Sequence, residues 1–351
     1  MKKLYKDIRF TKGILTLTAG LLIAGCSAED ELGNNSSAQQ LNMIPMVNDL
    51  QKSRANDEDA LHEKTLSKLD FKMFEPESGK CCVNHQSSSP AENQAEVLGK
   101  NNWKVDLNLQ EDHSYNYYAV ANAQADLSKK TLEELQTATQ QDNDIWQPYP
   151  QAKDKKFLMS AKGQYIISKD PIQDIPVELV RAAAKIKLNL SSSVNGYNIT
   201  NVKWKFLNYN TNTSVFAGQT AKPNIESNNE DNTVDKIEAN KCSVTTYSYS
   251  TTWTSQEDAP KIAVKVVFQS KDNKNDTREK ELTIPVRDPK GEKKLERNYI
   301  YTVNADIKRL KDDINIDYDE ELGYLKWAIT KWTTGEDTEV DADKASYLVV
   351  Y

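Results

Sequence analysis

The chain has 351 residues, with 45 lysines and arginines, 52 aspartates and glutamates, and a formal net charge of −7 at pH 7. This length accommodates two ordinary domains with hydrophobic cores of their own. Acidic and basic residues are interspersed and the balance is acidic, which excludes the basic surface of a nucleic-acid-binding protein. Thr, Val, Tyr, Asn and Ser are abundant and long helical patterns are rare, so the composition predicts an exported, mainly β protein.

The N-terminus has the pattern of a lipoprotein export signal. A basic segment, residues 2–12, precedes an apolar run, residues 13–24, that is shorter than a membrane-spanning helix. Two small residues and Cys26 then resemble a bacterial lipobox, in which the cysteine is acylated and becomes the new N-terminus. A plain signal peptide with an incidental cysteine is the alternative, but the position of Cys26 directly after the small pair favours lipidation. The acidic stretch 27–31 resembles the surface-export tag of Bacteroidales lipoproteins.

The first strand candidate follows a polar tether, residues 27–40. It spans residues 41–47, and Pro45 within it lacks a backbone donor, which suits an edge or terminal strand better than a central one. Arg54 lies between this strand and the acidic residues 56–59, a context typical of an exposed, cleavable site. An ordinary loop arginine is the alternative.

Alternating apolar residues predict further strands throughout the chain. The predicted strands are 69–73, 103–109, 115–119, 157–160, 165–167, 186–190, 202–206, 262–268, 282–286, 299–307, 325–329 and 347–351, and residues 80–100 are predicted to form a polar loop. Ser128 is predicted to cap one short helix that runs to about Ala138, with Leu132 and Leu135 on its buried side. Prolines and aspartates within 171–176 interrupt the strand pattern and predict a domain boundary. This density of strands predicts two β-sandwich-like domains.

No motif in the sequence specifies catalysis. A Gly-rich phosphate loop, a Gly-x-Ser-x-Gly elbow and a His-Glu-x-x-His helix are absent, so no catalytic residue, metal ligand or cofactor is predicted. Four alternating polar residues mimic the start of a calcium loop, but Tyr318 and Tyr324 stand where that loop requires glycine and glutamate. We interpret these residues as a solvated acidic edge. They are Asp313, Asn315, Asp317 and Asp319.

Cysteines and tryptophans provide the remaining site candidates. Apart from the signal cysteine there are Cys81, Cys82 and Cys242, an odd number that leaves at least one thiol outside any disulfide. Spacing does not decide whether Cys81 or Cys82 pairs with Cys242. Trp146 and Trp253 lie in polar, irregular context, and they are the two tryptophans that we consider for a sugar-stacking platform.

Several segments, in this order, resemble the fimbrillin family, the subunits of the type V pili of Bacteroidales, and most closely its Mfa-type minor fimbrium subunits. The segments are the lipobox ending at Cys26, Lys52-Ser53-Arg54-Ala55, and residues 66–74, 117–122, 157–160, 175–186, 296–303 and 332 with 347–350. One departure is Ala161, where relatives often have glycine, and this difference bears on a turn.

The resemblance implies two tandem β-sandwich-like domains of the transthyretin-like type with a short helix. It also implies a cell-surface fimbrial subunit, made as an outer-membrane lipoprotein, that polymerises with other fimbrial subunits by donor-strand exchange and supports adhesion and biofilm formation. The implied segments are a signal peptide (1–25), a tether with a removable strand (26–54), an N-terminal domain (55–176) and a C-terminal domain ending in a donor strand (177–351).

Polymerisation would begin with a cut. The resemblance implies that an arginine-specific protease cleaves between Arg54 and Ala55 and frees the first strand. The C-terminal strand of a neighbouring subunit would then fill the vacant groove, because a groove of this kind offers unpaired backbone groups and side-chain pockets. The residues of the released strand are Leu41, Met43, Ile44, Met46 and Val47, and those of the donor strand are Tyr347, Leu348, Val349, Val350 and Tyr351.

Two alternatives stay open. An accessory tip or anchor subunit belongs to the same class of protein, and an anchor would keep its lipid and an intact bond after Arg54. A surface lipoprotein that binds glycans for uptake would instead use Trp146 or Trp253.

Overall fold

A computed structural model describes residues 39–47, 63, 65–88, 103–107, 109–148, 156–170, 172–219, 221–287, 292–310 and 322–331. Of residues 39–47, 87–88, 103–107 and 322–331 it describes the backbone alone. Within these ranges the chain is mainly β, as predicted, and forms several sheets and one short α-helix.

The first large sheet has seven strands drawn from residues 39–181. Its strands are β1 (Gln39–Val47), β2 (Lys68–Phe74), β3 (Cys81–Ser88), β4 (Trp103–Leu107), β5 (Ser114–Ala121), β7 (Met159–Ile166) and β8 (Ile172–Arg181). Their order is β3-β2-β5-β7-β8-β1-β4. Neighbours are antiparallel except β1 and β8, which run parallel. Because β7 and β8 share only two residue pairs, the groups β3-β2-β5-β7 and β8-β1-β4 meet along a short junction.

Residues 183–331 form two further sheets. The strands of the four-stranded sheet are β10 (Tyr197–Leu207), β14 (Asn232–Thr233), β17 (Lys261–Ser270) and β18 (Thr277–Pro285), in the order β14-β10-β17-β18. The strands of the six-stranded sheet are β9 (Ala183–Ser192), β11 (Tyr209–Asn210), β13 (Ile225–Glu226), β15 (Lys241–Tyr249), β20 (Tyr299–Ile307) and β21 (Leu322–Lys331), in the order β13-β11-β15-β9-β20-β21. Two short ladders pair β6 (Thr139–Gln141) with β12 (Asn212–Ser214), and β16 (Thr251–Thr252) with β19 (Lys294–Leu295).

The single α-helix among the described residues, α1 (Leu132–Gln136), begins later than predicted. Its cap is Thr131 and not Ser128, because the Thr131 hydroxyl accepts from the amide of Glu134 while the Glu134 carboxylate accepts from the amide of Thr131. Leu135 is buried, as predicted, and Leu132 packs partly buried against the core. The carbonyl of Ser128 accepts instead from the ammonium of Lys72, at 2.8 Å.

Three features of the first half differ from the sequence predictions. Part of the predicted polar loop 80–100 is the edge strand β3, whose pairing with β2 does not require apolar residues on its solvent side. Ala161 lies inside β7 opposite Ala119, so its position is a strand position and not a turn. Pro176 does not interrupt the strand pattern, because it lies within β8 and pairs with Ile44. The division into two domains at residue 176 stays a prediction.

Buried side chains tie the two halves of the fold together. The rings of Tyr118 and Phe216 meet edge to face at 5.3 Å, and those of Phe157 and Tyr247 lie 4.8 Å apart. The hydroxyl of Ser160 donates to a backbone carbonyl in the second half, 2.7 Å away. Buried apolar side chains of both halves belong to one continuous hydrophobic core, and the β6–β12 ladder also joins the two halves.

Candidate functional site

β1 occupies a slot between two strands of the seven-stranded sheet. On one side it runs parallel to β8, in register from Gln40–Ile172 to Val47–Leu179. On the other side it runs antiparallel to β4 over residues 39–43. Residues 41–43 of the predicted edge or terminal strand are therefore not at an edge of the sheet, because they have a partner on each side. Pro45 lies in the second half, which among the described residues pairs with β8 alone, so its missing donor is tolerated there.

The β8 wall of the slot alternates between buried and exposed side chains. Ile175, Val177 and Leu179 are 1%, 0% and 2% exposed, and Gln173 is also buried. Asp174 and Glu178 alternate with them on the exposed face. Paired residues of adjacent strands share a face of the sheet, so the register decides which positions of β1 match the buried set.

The register divides the predicted released strand into two groups. Leu41, Met43 and Val47 pair with the buried residues of β8, as does Pro45. Ile44 and Met46 pair with Pro176 and Glu178, which are exposed. Three of the five predicted residues therefore stand at positions matched to the buried face, together with Pro45, which the sequence analysis considered only for its missing backbone donor.

The side chain of Gln173 links the start of β8 to the turn between β7 and β8. Its amide oxygen accepts from the backbone amide of Ser168 at 2.9 Å, and its amide nitrogen donates to the carbonyls of Ser168 and Asp170 at 3.2 Å each. These bonds hold the start of β8 independently of β1. Burial raises the pKa of the Tyr165 and Tyr117 hydroxyls. The carboxylate of Asp174 adds to the shift at Tyr165, and that of Glu178 adds to the shift at Tyr117.

A buried polar cluster surrounds Glu63, which lies sixteen positions after the end of β1. Glu63 is 3% exposed, and one of its carboxylate oxygens accepts from the Lys185 ammonium at 2.6 Å and from the Tyr247 hydroxyl at 2.7 Å. Its backbone carbonyl accepts from the Arg181 guanidinium at 2.8 Å. We call Glu63, Arg181, Lys185 and Tyr247 the Glu63 clamp. It joins residue 63 to the end of β8 and to two strands of the six-stranded sheet.

Asn122 forms a second anchor for the residues after Glu63. Its side-chain oxygen accepts from the amide and hydroxyl of Ser67, and its nitrogen donates to the carbonyls of Thr65 and Phe157. The residue has φ 60°, a left-handed conformation that asparagine adopts more readily than most residues. Glu63 and Thr65 are thus fixed by buried hydrogen bonds, and Ser67 by partly buried ones.

The remaining predicted site residues include several that the structure does not describe. Cys26, Arg54, Ala55 and the donor strand 347–351 lie outside the described residues, as do Asp313, Asn315, Asp317 and Asp319. Sequence reasoning missed the Glu63 clamp. A signal for part of it was present, because Arg181 and Lys185 are charges set within the apolar run 179–186.

The tryptophans considered for sugar stacking do not form an exposed platform. Trp253 is 7% exposed and belongs to the hydrophobic core. Trp146 is half-buried, and its ring meets that of Trp204 edge to face at 6.3 Å. Polar sequence context was misleading here, because both indoles pack inward from irregular segments.

Cys81, Cys82 and Cys242 are free thiols. Cys81 is exposed, whereas burial raises the pKa of the Cys242 thiol to about 11. Within the described part of the chain, no group of three His, Cys, Asp or Glu residues is placed to hold a metal ion. The same part of the chain contains no helix with the length and apolar character needed to cross a membrane.

Comparison with known proteins identifies the fold. No protein-family model matches the chain, and no curated protein sequence is significantly similar to it. Among solved structures, a protein of Parabacteroides distasonis assigned to cell adhesion is similar with TM-score 0.57 and 15% identity, over 85% of this chain and 98% of that one. The tip fimbrial protein Mfa3 of Porphyromonas gingivalis is similar with TM-score 0.54 and 15% identity, over 84% of this chain and 100% of that one.

The chain has the fold of Bacteroidales fimbrillins. A fimbrilin from Porphyromonas gingivalis is also similar, with TM-score 0.50 and 12% identity over 77% of this chain and 90% of that one. The resemblance that the sequence motifs indicate is thereby confirmed at the level of the fold.

Proposed function

We propose that the chain is a structural, non-enzymatic subunit of a cell-surface fimbria, and that it joins neighbouring subunits by strand exchange. The observation that carries the proposal is the position of β1 between β8 and β4. Withdrawal of such a strand leaves unpaired backbone groups along both walls and uncovers the buried residues of β8. This is the acceptor that β-strand addition requires.

A cut after Arg54 would separate the strand that leaves from the body that stays. Arg54 is the only arginine in the sequence between β1 and Glu63. Cleavage between Arg54 and Ala55 by an arginine-specific protease would make β1 a separate peptide, held by its ladders alone. The Glu63 clamp and Asn122 support this order of events, because they retain the new N-terminal segment after β1 has left.

The chain would reach the cell surface as a lipoprotein precursor. In this proposal Cys26 carries the lipid that holds the uncut form at the outer membrane, and the cut removes lipid and β1 together. A strand of the next subunit that includes Tyr347–Tyr351 then enters the slot. This segment is β-prone and apolar on both faces, so burial in a neighbour would also remove an aggregation hazard.

N-terminal sequencing of the protein in purified surface filaments tests the proposal. The subunit should begin at Ala55, and Arg54→Ala should leave uncut monomers. Lys52→Ala, two residues away and also a lost positive charge, is the matched control and should assemble normally. Abundant filaments built from uncut Arg54→Ala protein would refute the proposed mechanism.

The same measurement separates a shaft subunit from an anchor subunit. An anchor would retain its lipid and its first strand, so the Arg54–Ala55 bond would be intact in protein that is nevertheless part of filaments. The similarity to a tip fimbrial protein makes an accessory tip subunit the second candidate.

A further inference from the structure

We propose that β4 is a dependent wall of the slot, held in place by whichever strand fills the slot. The incoming strand of a second copy of this chain must therefore pair with β4 as well as with β8. The identity of the incoming strand rests on the proposed function, whereas the dependence of β4 on an occupied slot does not.

The two walls differ in how they are attached to the rest of the fold. Within the described part of the chain, the ladder with β1 is the only one that β4 forms, and it has five residue pairs between Gln39–Leu107 and Met43–Trp103. β4 lies near β3, but no ladder joins these two strands. Among the ladders of the described residues, β4 is thus held by β1 alone.

β8 has several attachments besides β1. Two residue pairs join it to β7, Gln173 bonds it to the preceding turn, and Arg181 at its end donates to Glu63. Its inward side chains are part of the hydrophobic core. β8 therefore stays in place when β1 leaves, while β4 loses all five of its paired residues.

Without β1, the slot would then be bordered by β8 alone. Backbone groups of β4 that no longer pair within the sheet must be satisfied by water, which favours an open, exchanging segment. The strand that enters rebuilds the β4 ladder as it binds, so it becomes an interior strand and not a new edge. Binding of the incoming strand and ordering of β4 therefore occur in one step.

The geometry of the slot determines the length and side-chain pattern of the strand that can enter it. It must be an extended strand of about eight residues, roughly 26 Å at 3.3 Å per residue, to cover β8 from Ile172 to Leu179. Apolar residues are needed at alternate positions opposite Ile175, Val177 and Leu179. Proline is excluded where the strand has a partner on each side, and is tolerated beyond the β4 ladder, as Pro45 shows.

The test displaces β1 within the intact chain and follows β4 by hydrogen–deuterium exchange. The variant Met43→Asp/Val47→Asp puts carboxylates opposite the buried Ile175 and Leu179. We expect exchange in Trp103–Leu107 to accelerate on the order of a hundredfold, since a strand without a ladder opens at little free-energy cost. Exchange in Lys68–Phe74 should not change.

Ile44→Asp is the matched control, because it adds the same group opposite the exposed Pro176 and should leave β4 protected. A second measurement uses the full chain cut after Arg54, with the released fragment washed away. Added synthetic peptide of residues 39–47 should restore protection to β4. Rapid exchange in β1 with continued protection of β4 would overturn the inference. A cut chain in which β4 responds but no filaments form would refute the proposed function and support the inference.

Discussion

Replacing Glu63 by alanine is expected to lower the free energy of unfolding by about 3–5 kcal/mol, the cost of removing one partner from a buried ion pair. Lys185 is 4% exposed and its ammonium lies 2.6 Å from the Glu63 carboxylate. In Glu63→Ala that charge stays inside the fold without this carboxylate, and the hydrogen bond from the Tyr247 hydroxyl to Glu63 is lost. The bond from Arg181 survives, because it is made to the backbone carbonyl of residue 63.

A double substitution distinguishes the buried charge from lost packing. Lys185→Met alone should cost as much as Glu63→Ala, because it leaves the carboxylate buried. Glu63→Leu/Lys185→Met removes both charges and keeps apolar volume, so most of the stability should return. The two sites are therefore expected to be strongly non-additive.

Urea unfolding followed by tryptophan fluorescence measures these changes, with the midpoint falling and the slope m unchanged if only stability is altered. A loss below about 1 kcal/mol in Glu63→Ala would refute the reasoning, because that is the value of a solvent-exposed ion pair. Limited proteolysis after the cut at Arg54 provides a second readout. Trimming should stop before residue 63 in the parent chain and continue past it in Glu63→Ala.

Three further predictions concern Gly163, Tyr209 and the cysteines. Gly163→Ala should cost about 1–3 kcal/mol of unfolding free energy, because a Cβ there would lie 2.8 Å from the Tyr117 ring, and Tyr117→Leu should relieve that cost. Burial, with Glu226 adding to it, raises the pKa of Tyr209 from 10.0 to about 12, so the folded state holds this proton more tightly than the unfolded state. Its stabilising effect is complete below pH 10 and is lost as pH rises towards 12; urea unfolding should show a loss of about 1.4 kcal/mol at about pH 11 that is missing in Tyr209→Phe. At about pH 8, mass spectrometry should find iodoacetamide on the exposed Cys81 first and on Cys242 last, because thiolate is the reacting form.

Strands with one buried face could be predicted from the sequence, and strands without that pattern could not. Alternating apolar residues at 299–307 predict the bounds of β20. β15 was missed because its Thr, Ser and Tyr residues are buried without an apolar alternation. β3 was missed because an edge strand in contact with solvent carries polar residues that are typical of a loop.

The slot and the Glu63 clamp could likewise be predicted from the sequence only in part. The composition of residues 41–47 marks a strand, but the sequence does not give its partners, and the parallel pairing with β8 joins positions more than a hundred residues apart. The ion pair of the Glu63 clamp spans 122 residues. Long-range pairings of this kind leave no local pattern, apart from charges placed inside an apolar run.

The slot and the Glu63 clamp are held by different kinds of interaction, and this difference explains how one strand can be replaced while the rest of the fold is kept. A β-ladder is made by backbone groups that every residue except proline carries in full, so any extended strand with apolar residues at the right alternate positions satisfies β8. The Glu63 clamp depends instead on a carboxylate, an ammonium and a phenol at fixed distances, which no incoming peptide would reproduce. In the proposed mechanism, the part of the chain that is exchanged is held by interactions that many sequences can make. The part that is retained is anchored at Glu63, nine positions after Arg54, by interactions that are specific to these side chains.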